Sequence, residues 1–146
     1  MKNLFVATAA LLSLTAPAFA EGDAEKGEKA FKRCKACHMI VAPDGEEIFK
    51  GGKTGPNLYG IVGSVAGSNE DFDRYKNGLK EAADAGFVWT EEAIAEYVVD
   101  PKKWLAANGF SRQSGMSFRL RKGGEDVAAY LASVAPAPEA SEEASE

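Results

Sequence analysis

Reactive side chains are scarce in this chain of 146 residues: it has one histidine, His38, and two cysteines, Cys34 and Cys37. A structural zinc site needs four thiolate or imidazole ligands, so zinc is excluded. One Cys-x-x-Cys pair would suit a disulfide oxidoreductase. That fold alternates strands with helices, and the runs of β-branched residues needed for a central sheet are missing. Beyond residue 20 no stretch approaches the roughly 20 apolar residues of a bilayer-crossing helix, so the product is not expected to span a membrane.

The first 20 residues read as an export leader. Lys2 supplies the positive start, Leu4 to Leu14 the apolar stretch, and Ala18-Phe19-Ala20 an A-x-A cleavage site. The mature chain is expected to begin at Glu21 and to act outside the cytoplasm. At the other end, residues 135–146 hold four glutamates, two prolines and nothing that could form a core, and read as a disordered acidic tail. The single domain is therefore expected over 21–134, a size at which a buried cofactor would add substantially to a modest apolar core.

What is present is Cys34-Lys35-Ala36-Cys37-His38. C-x-x-C-H is the spacing at which two thiols can add to the vinyl groups of one haem while the adjoining imidazole falls under the iron. Cys34 and Cys37 are expected as the covalent attachment points of one haem c, and His38 as an axial ligand. With no second histidine, the opposite position is either open or filled by methionine. Met1 leaves with the leader, and Met39 adjoins His38 and cannot reach the other ring face. Met116 remains, among small polar neighbours (Ser114, Gly115, Ser117) that are poor surroundings for core filler.

The rest of the chain reads as short helices joined by Gly-rich loops. Asp23 is an N-cap for a helix through Cys34. Residues 39–58 lose all periodicity and read as loop. A helical pattern runs from Phe72 to Ala85 and ends at Gly86. Thr90 caps another helix with the apolar stripe Ala93-Ile94-Tyr97-Val98. Asp100-Pro101 opens a short helix closing near Gly109. A last helix, about Glu125 to Val134, turns Val127, Tyr130 and Leu131 to one side, the face expected to meet Gly27 and Phe31.

Together these residues resemble the class I c-type cytochromes: Cys34 to His38, then Gly55-Pro56-Asn57-Leu58, Trp89, Gly115-Met116-Ser117-Phe118, and a closing Glu125 to Leu131. The likeness covers residues 23–134 and is strongest to long-loop bacterial periplasmic forms known as cytochrome c2. It implies an all-α cytochrome c fold, about five short helices and long loops wrapped around one covalently bound haem. It implies that Pro56 offers its carbonyl to the His38 ring and that Tyr97 lies near the Met116 sulfur. Tyr75 and Trp89, with Ser114 a weaker candidate, would hydrogen-bond a haem propionate. One departure stands out: Ser64 occupies the position where the family usually has an arginine near the inner propionate.

The formal net charge is −5. Even so, residues 101–124 carry six cations and no acid. Lys29, Lys32, Lys35, Lys102, Lys103, Arg112 and Arg121 are expected to ring the exposed haem edge and to steer acidic partners toward it. From the resemblance these are a cytochrome bc1 complex as donor and a photosynthetic reaction centre or terminal oxidase as acceptor, in the periplasm. The protein is expected to act as a monomeric electron carrier and not an enzyme, and nucleic acid is not an expected partner. The rival reading is a five-coordinate c-type haem serving an enzyme or gas sensor, with Met116 away from the iron.

Overall fold

Asp23 starts the first helix, its Oδ1 accepting from the backbone N–H of Glu25 at 3.0 Å and of Lys26 at 3.1 Å. The computed structural model describes residues 21–135; the expected leader, and the tail beyond its first residue, lie outside the described residues. Helix α1 (Ala24–Phe31) turns Gly27 and Phe31 inward. It stops three residues earlier than its pattern predicts. From Arg33 onward the chain tightens into i to i+3 turns, with Cys34 N donating to Phe31 O at 2.7 Å and Cys37 N to Cys34 O at 3.1 Å.

The region expected as plain loop contains a small antiparallel hairpin, β1 (Ile40–Val41) and β2 (Glu47–Phe49), with Ile40 opposite Phe49 and Val41 opposite Glu47. Strands this short show no periodicity to read. A second correction concerns 72–85, where only Asn77–Asp84 forms a helix, α2. Ahead of it the Asn69 side chain accepts from Asp71 N at 2.9 Å, a local turn that competes with helical pairing.

Helix α3 (Glu91–Val99) is capped by Thr90, whose Oγ1 accepts from Ala93 N at 3.0 Å. Asp100 then caps α4 (Pro101–Ala107) by accepting from Lys103 N at 3.1 Å, and its second oxygen pairs with Arg119 at 3.2 Å. Helix α5 (Gly124–Val134) packs against both α1 and α3. The crossings demand glycine: a Cβ on Gly27 would strike the Asp126 carbonyl and the Tyr130 side chain, and one on Gly124 the Ala95 carbonyl. Phe31 and Tyr130 meet at this junction, ring centroids 5.8 Å apart.

Beside the crossing, Trp104 centres an aromatic cluster, 5.1 Å from both Phe87 and Trp89 and 5.5 Å from Tyr97. Trp89 is held from behind by its backbone, which donates to Ser64 O at 2.8 Å and accepts from Gly63 N at 2.7 Å. Helices and cluster form three walls, and the loops supply the rest of an enclosure.

Candidate cofactor site

The turn after α1 presents three reactive side chains within five residues. His38 N donates to Cys34 O at 3.0 Å, which closes a single turn around Lys35 and Ala36. Cys37 is exposed and Cys34 half-buried. Burial pushes the Cys34 thiol up to about 11, with the Arg33 charge pulling the other way. A sulfur in that environment is best left uncharged, as a thioether is.

Two backbone groups hold the His38 ring. Its Nδ1 lies 2.8 Å from the Pro56 carbonyl, which can only accept, so Nδ1 carries the hydrogen and Nε2 keeps its lone pair. Burial lowers the imidazole pKa from its ordinary value, and the Pro56 acceptor opposes this. The ring is therefore neutral near pH 7, the form that binds metals. Gly55 packs so near that any Cβ there would overlap the ring. Its own N–H donates to Cys37 O at 2.8 Å.

His38 opens onto a cavity of about 490 Å³. Phe31, Leu79, Ile94, Val98, Val127 and Leu131 give it an apolar lining. Cys34, Cys37, Pro56, Tyr75, Trp89, Tyr97 and Met116 also line it, so the structure brings these expected site residues around one space. Burial raises the hydroxyl pKa of both Tyr75 and Tyr97. Three cations that had no assigned role, Arg33, Arg74 and Lys76, reach the same lining. Arg74 also donates to the Lys53 carbonyl, which joins two rim loops, and lies over the Phe72 ring at 5.1 Å. An imidazole, a thioether and two thiols in an apolar space with cations at its margin fit a flat, largely apolar ring bearing carboxylates.

Ser114 is placed differently from Tyr75 and Trp89. It does not line the cavity but sits behind Met116, where its Oγ accepts from Met116 N at 3.1 Å and donates to Met116 O at 3.0 Å. With its single hydrogen used there, Ser114 must accept from the Tyr97 hydroxyl, 3.2 Å away. It has no donor left for a carboxylate. Tyr97 and Met116 both line the cavity.

Lys29, Lys32, Lys35, Lys102, Lys103, Arg112 and Arg121 are all exposed, and none lines the cavity. Lys102 shares a smaller cleft of about 140 Å³ with Met116, Asp100 and Arg119. Asn57 was part of the Gly55 to Leu58 motif without a role of its own, yet it makes more side-chain hydrogen bonds than any other residue near the histidine.

No family model matches the chain. Over 134 residues it is 58% identical to the cytochrome c2 of Rhodobacter capsulatus, a match spanning 90% of this chain and 96% of that protein. The chain belongs to the cytochrome c2 family of class I c-type cytochromes. It is 49% identical to cytochrome c-550 of Paracoccus denitrificans over 141 residues, 93% of this chain and 90% of that one. Among solved structures, the Rhodobacter capsulatus cytochrome c2 superposes with a TM-score of 0.74 at 57% identity, covering 77% of this chain and 98% of its own. The ferric cytochrome c-550 of Paracoccus versutus gives 0.75 at 52% identity, covering 80% and 100%. The fold is thus the cytochrome c fold, and the cofactor of this cytochrome is one covalently bound haem c.

Proposed function

We propose that this cytochrome is a one-electron carrier whose haem is attached through Cys34 and Cys37 and ligated axially by His38 and Met116. The observation that carries the reading is the shared cavity: a neutral imidazole locked by Pro56 and a thioether from a distant loop line the same apolar space as both cysteines. When bound, the haem supplies the one-electron couple. The chain's own residues do the rest. His38 donates through Nε2 while its Nδ1–H is held by the Pro56 carbonyl, which raises ligand basicity. The soft Met116 sulfur favours the ferrous state and raises the potential. His38 and Met116 would together leave no position at the iron for a substrate, which separates a carrier from an enzyme.

The reading extends to a periplasmic location after loss of residues 1–20, and to transient docking of the cationic rim on a cytochrome bc1 complex and then on a photosynthetic reaction centre or terminal oxidase. Seven exposed cations, Lys102 among them in a cleft with Met116, support such docking. An optical spectrum with a redox titration tests the core of the proposal. The expected result is a low-spin spectrum, a weak methionine-to-iron charge-transfer band that Met116→Leu abolishes, and a reversible one-electron wave. A high-spin spectrum that responds to added ligand would instead assign a five-coordinate site.

A further inference from the structure

His38 and Pro56 sit on two chain segments, 38–41 and 55–58, that meet through few bonds. Gly55 N donates to Cys37 O at 2.8 Å, and Leu58 N to Met39 O at 3.0 Å. The remaining fastening comes from one side chain. Asn57 Oδ1 accepts from Val41 N at 3.0 Å while its Nδ2 donates to Val41 O at 2.8 Å, so the carboxamide pairs with residue 41 as a neighbouring strand would. The second lone pair of Oδ1 accepts from Tyr59 N at 3.2 Å. Asn57 O in turn accepts from Asn69 Nδ2 at 3.2 Å.

The Pro56 carbonyl shares a planar peptide unit with the nitrogen of Asn57. The proline ring already fixes φ at 56, so ψ is the one soft torsion left to aim that carbonyl. Anchoring residue 57 on Val41, three residues beyond the histidine, removes this last freedom. No other side chain reproduces the anchor: aspartate lacks the donor, glutamine is a methylene too long, and leucine has neither group.

We propose that Asn57 is a positioning residue for the axial histidine, its carboxamide holding the Pro56 carbonyl on His38 Nδ1 and thereby setting the donor strength of the imidazole. The proposal rests on His38 being the iron ligand. A residue that merely stitched the hairpin would act differently. Losing the Nδ1–H acceptor weakens the imidazole as a donor, which disfavours ferric iron and raises the potential, whereas general loosening admits water and lowers it.

The test uses Asn57→Ala and Asn57→Asp holoproteins beside a control, Asn108→Ala, which removes a hydrogen bond to Trp104 O (2.9 Å) on α4. Hydrogen exchange at His38 Nδ1 is followed by NMR in the ferrous state, and the midpoint potential by titration. Asn57→Ala is expected to exchange at least tenfold faster with a higher midpoint. Asn57→Asp, which keeps the acceptor but loses the donor, should exchange faster by a smaller factor and is read by exchange alone, because its added charge pulls the midpoint down; the control should move neither. Should Asn57→Ala yield no holoprotein, Asn57→Asp decides alone. Unchanged exchange at Nδ1 in either variant, or a fall in midpoint in Asn57→Ala, overturns the proposal. Ferrous NMR of the unsubstituted protein in which the His38 ring protons are not shifted upfield by a haem would defeat the ligand reading itself, and that is visible before any variant is made.

Discussion

Tyr97 gives its hydroxyl hydrogen to Ser114 across 3.2 Å, and Ser114 passes its own to the Met116 carbonyl, so a tyrosine on α3 governs a methionine loop nearly twenty residues away. Removing the serine oxygen breaks three contacts of a half-buried group, each with a net value of about 1 kcal/mol. Ser114→Ala is expected to bleach the methionine-to-iron band at a lower denaturant concentration than the unsubstituted protein, and Ser114→Thr to restore it. Equal midpoints for band loss in Ser114→Ala and the parent would refute this coupling.

Ser64 spends its hydroxyl on Ile61 O at 2.7 Å, and its carbonyl accepts from the backbone of Trp89, whose ring lines the cavity. On the proposed haem reading, an arginine at 64 would stand near the inner propionate and compensate its charge. Ser64→Arg is expected to raise the midpoint potential. No change, or a fall, would mean that another cation such as Arg74 already does so.

The exposed lysines and arginines should act at a distance on encounter rates more than on affinity. Reaction with an acidic redox partner is expected to slow steeply with added salt, because exposed charges are screened within about 10 Å at 0.1 M. A Lys32→Glu and Lys103→Glu double variant should flatten that dependence. A rate constant level over a tenfold range of ionic strength would discount steering.

The cavity sets the cost of losing the cofactor. Emptied, its roughly 490 Å³ would leave Phe31, Leu79, Ile94, Val98, Val127 and Leu131 facing water, and a domain's whole stability is only about 5–15 kcal/mol. A Cys34→Ser and Cys37→Ser chain without haem is expected to show no cooperative thermal transition by circular dichroism. A sharp melt would mean that the walls collapse onto one another.

Asp23 caps α1, and backbone hydrogen bonding from Lys26, with its ammonium 3.2 Å away, holds the carboxyl below its ordinary 3.8. A depressed folded-state value means stabilisation that is present above pH 3.8 and lost as pH falls through the lower folded value. Asp23→Asn should therefore flatten the acid limb of a melting-temperature profile while leaving the limb above pH 6 parallel.

Residue types and spacing made much of this molecule legible. C-x-x-C-H announces its chemistry because the attachment is local, Thr90 and Asp100 mark helix starts by hydrogen bonds to their own neighbours, and Pro101 does so by a fixed φ that suits the first helical position. What stayed hidden depends on distant partners. The neighbours of Ser114 say nothing of its contact with Tyr97, seventeen residues away. The role of Asn57 depends on Val41, sixteen residues back across a hairpin too short to register as a pattern. The stretch 72–76 resembles a helix until the Asn69 turn diverts it.

Gly55 against one face of the His38 ring and the Pro56 carbonyl at its edge are both main-chain atoms, with no rotamer to change. On the proposed ligation, an imidazole gripped this way would be kept from swinging as the metal gains or loses charge. Little nuclear rearrangement would then accompany each transfer, leaving the gap between donor and acceptor to weigh more heavily on how quickly an electron passes.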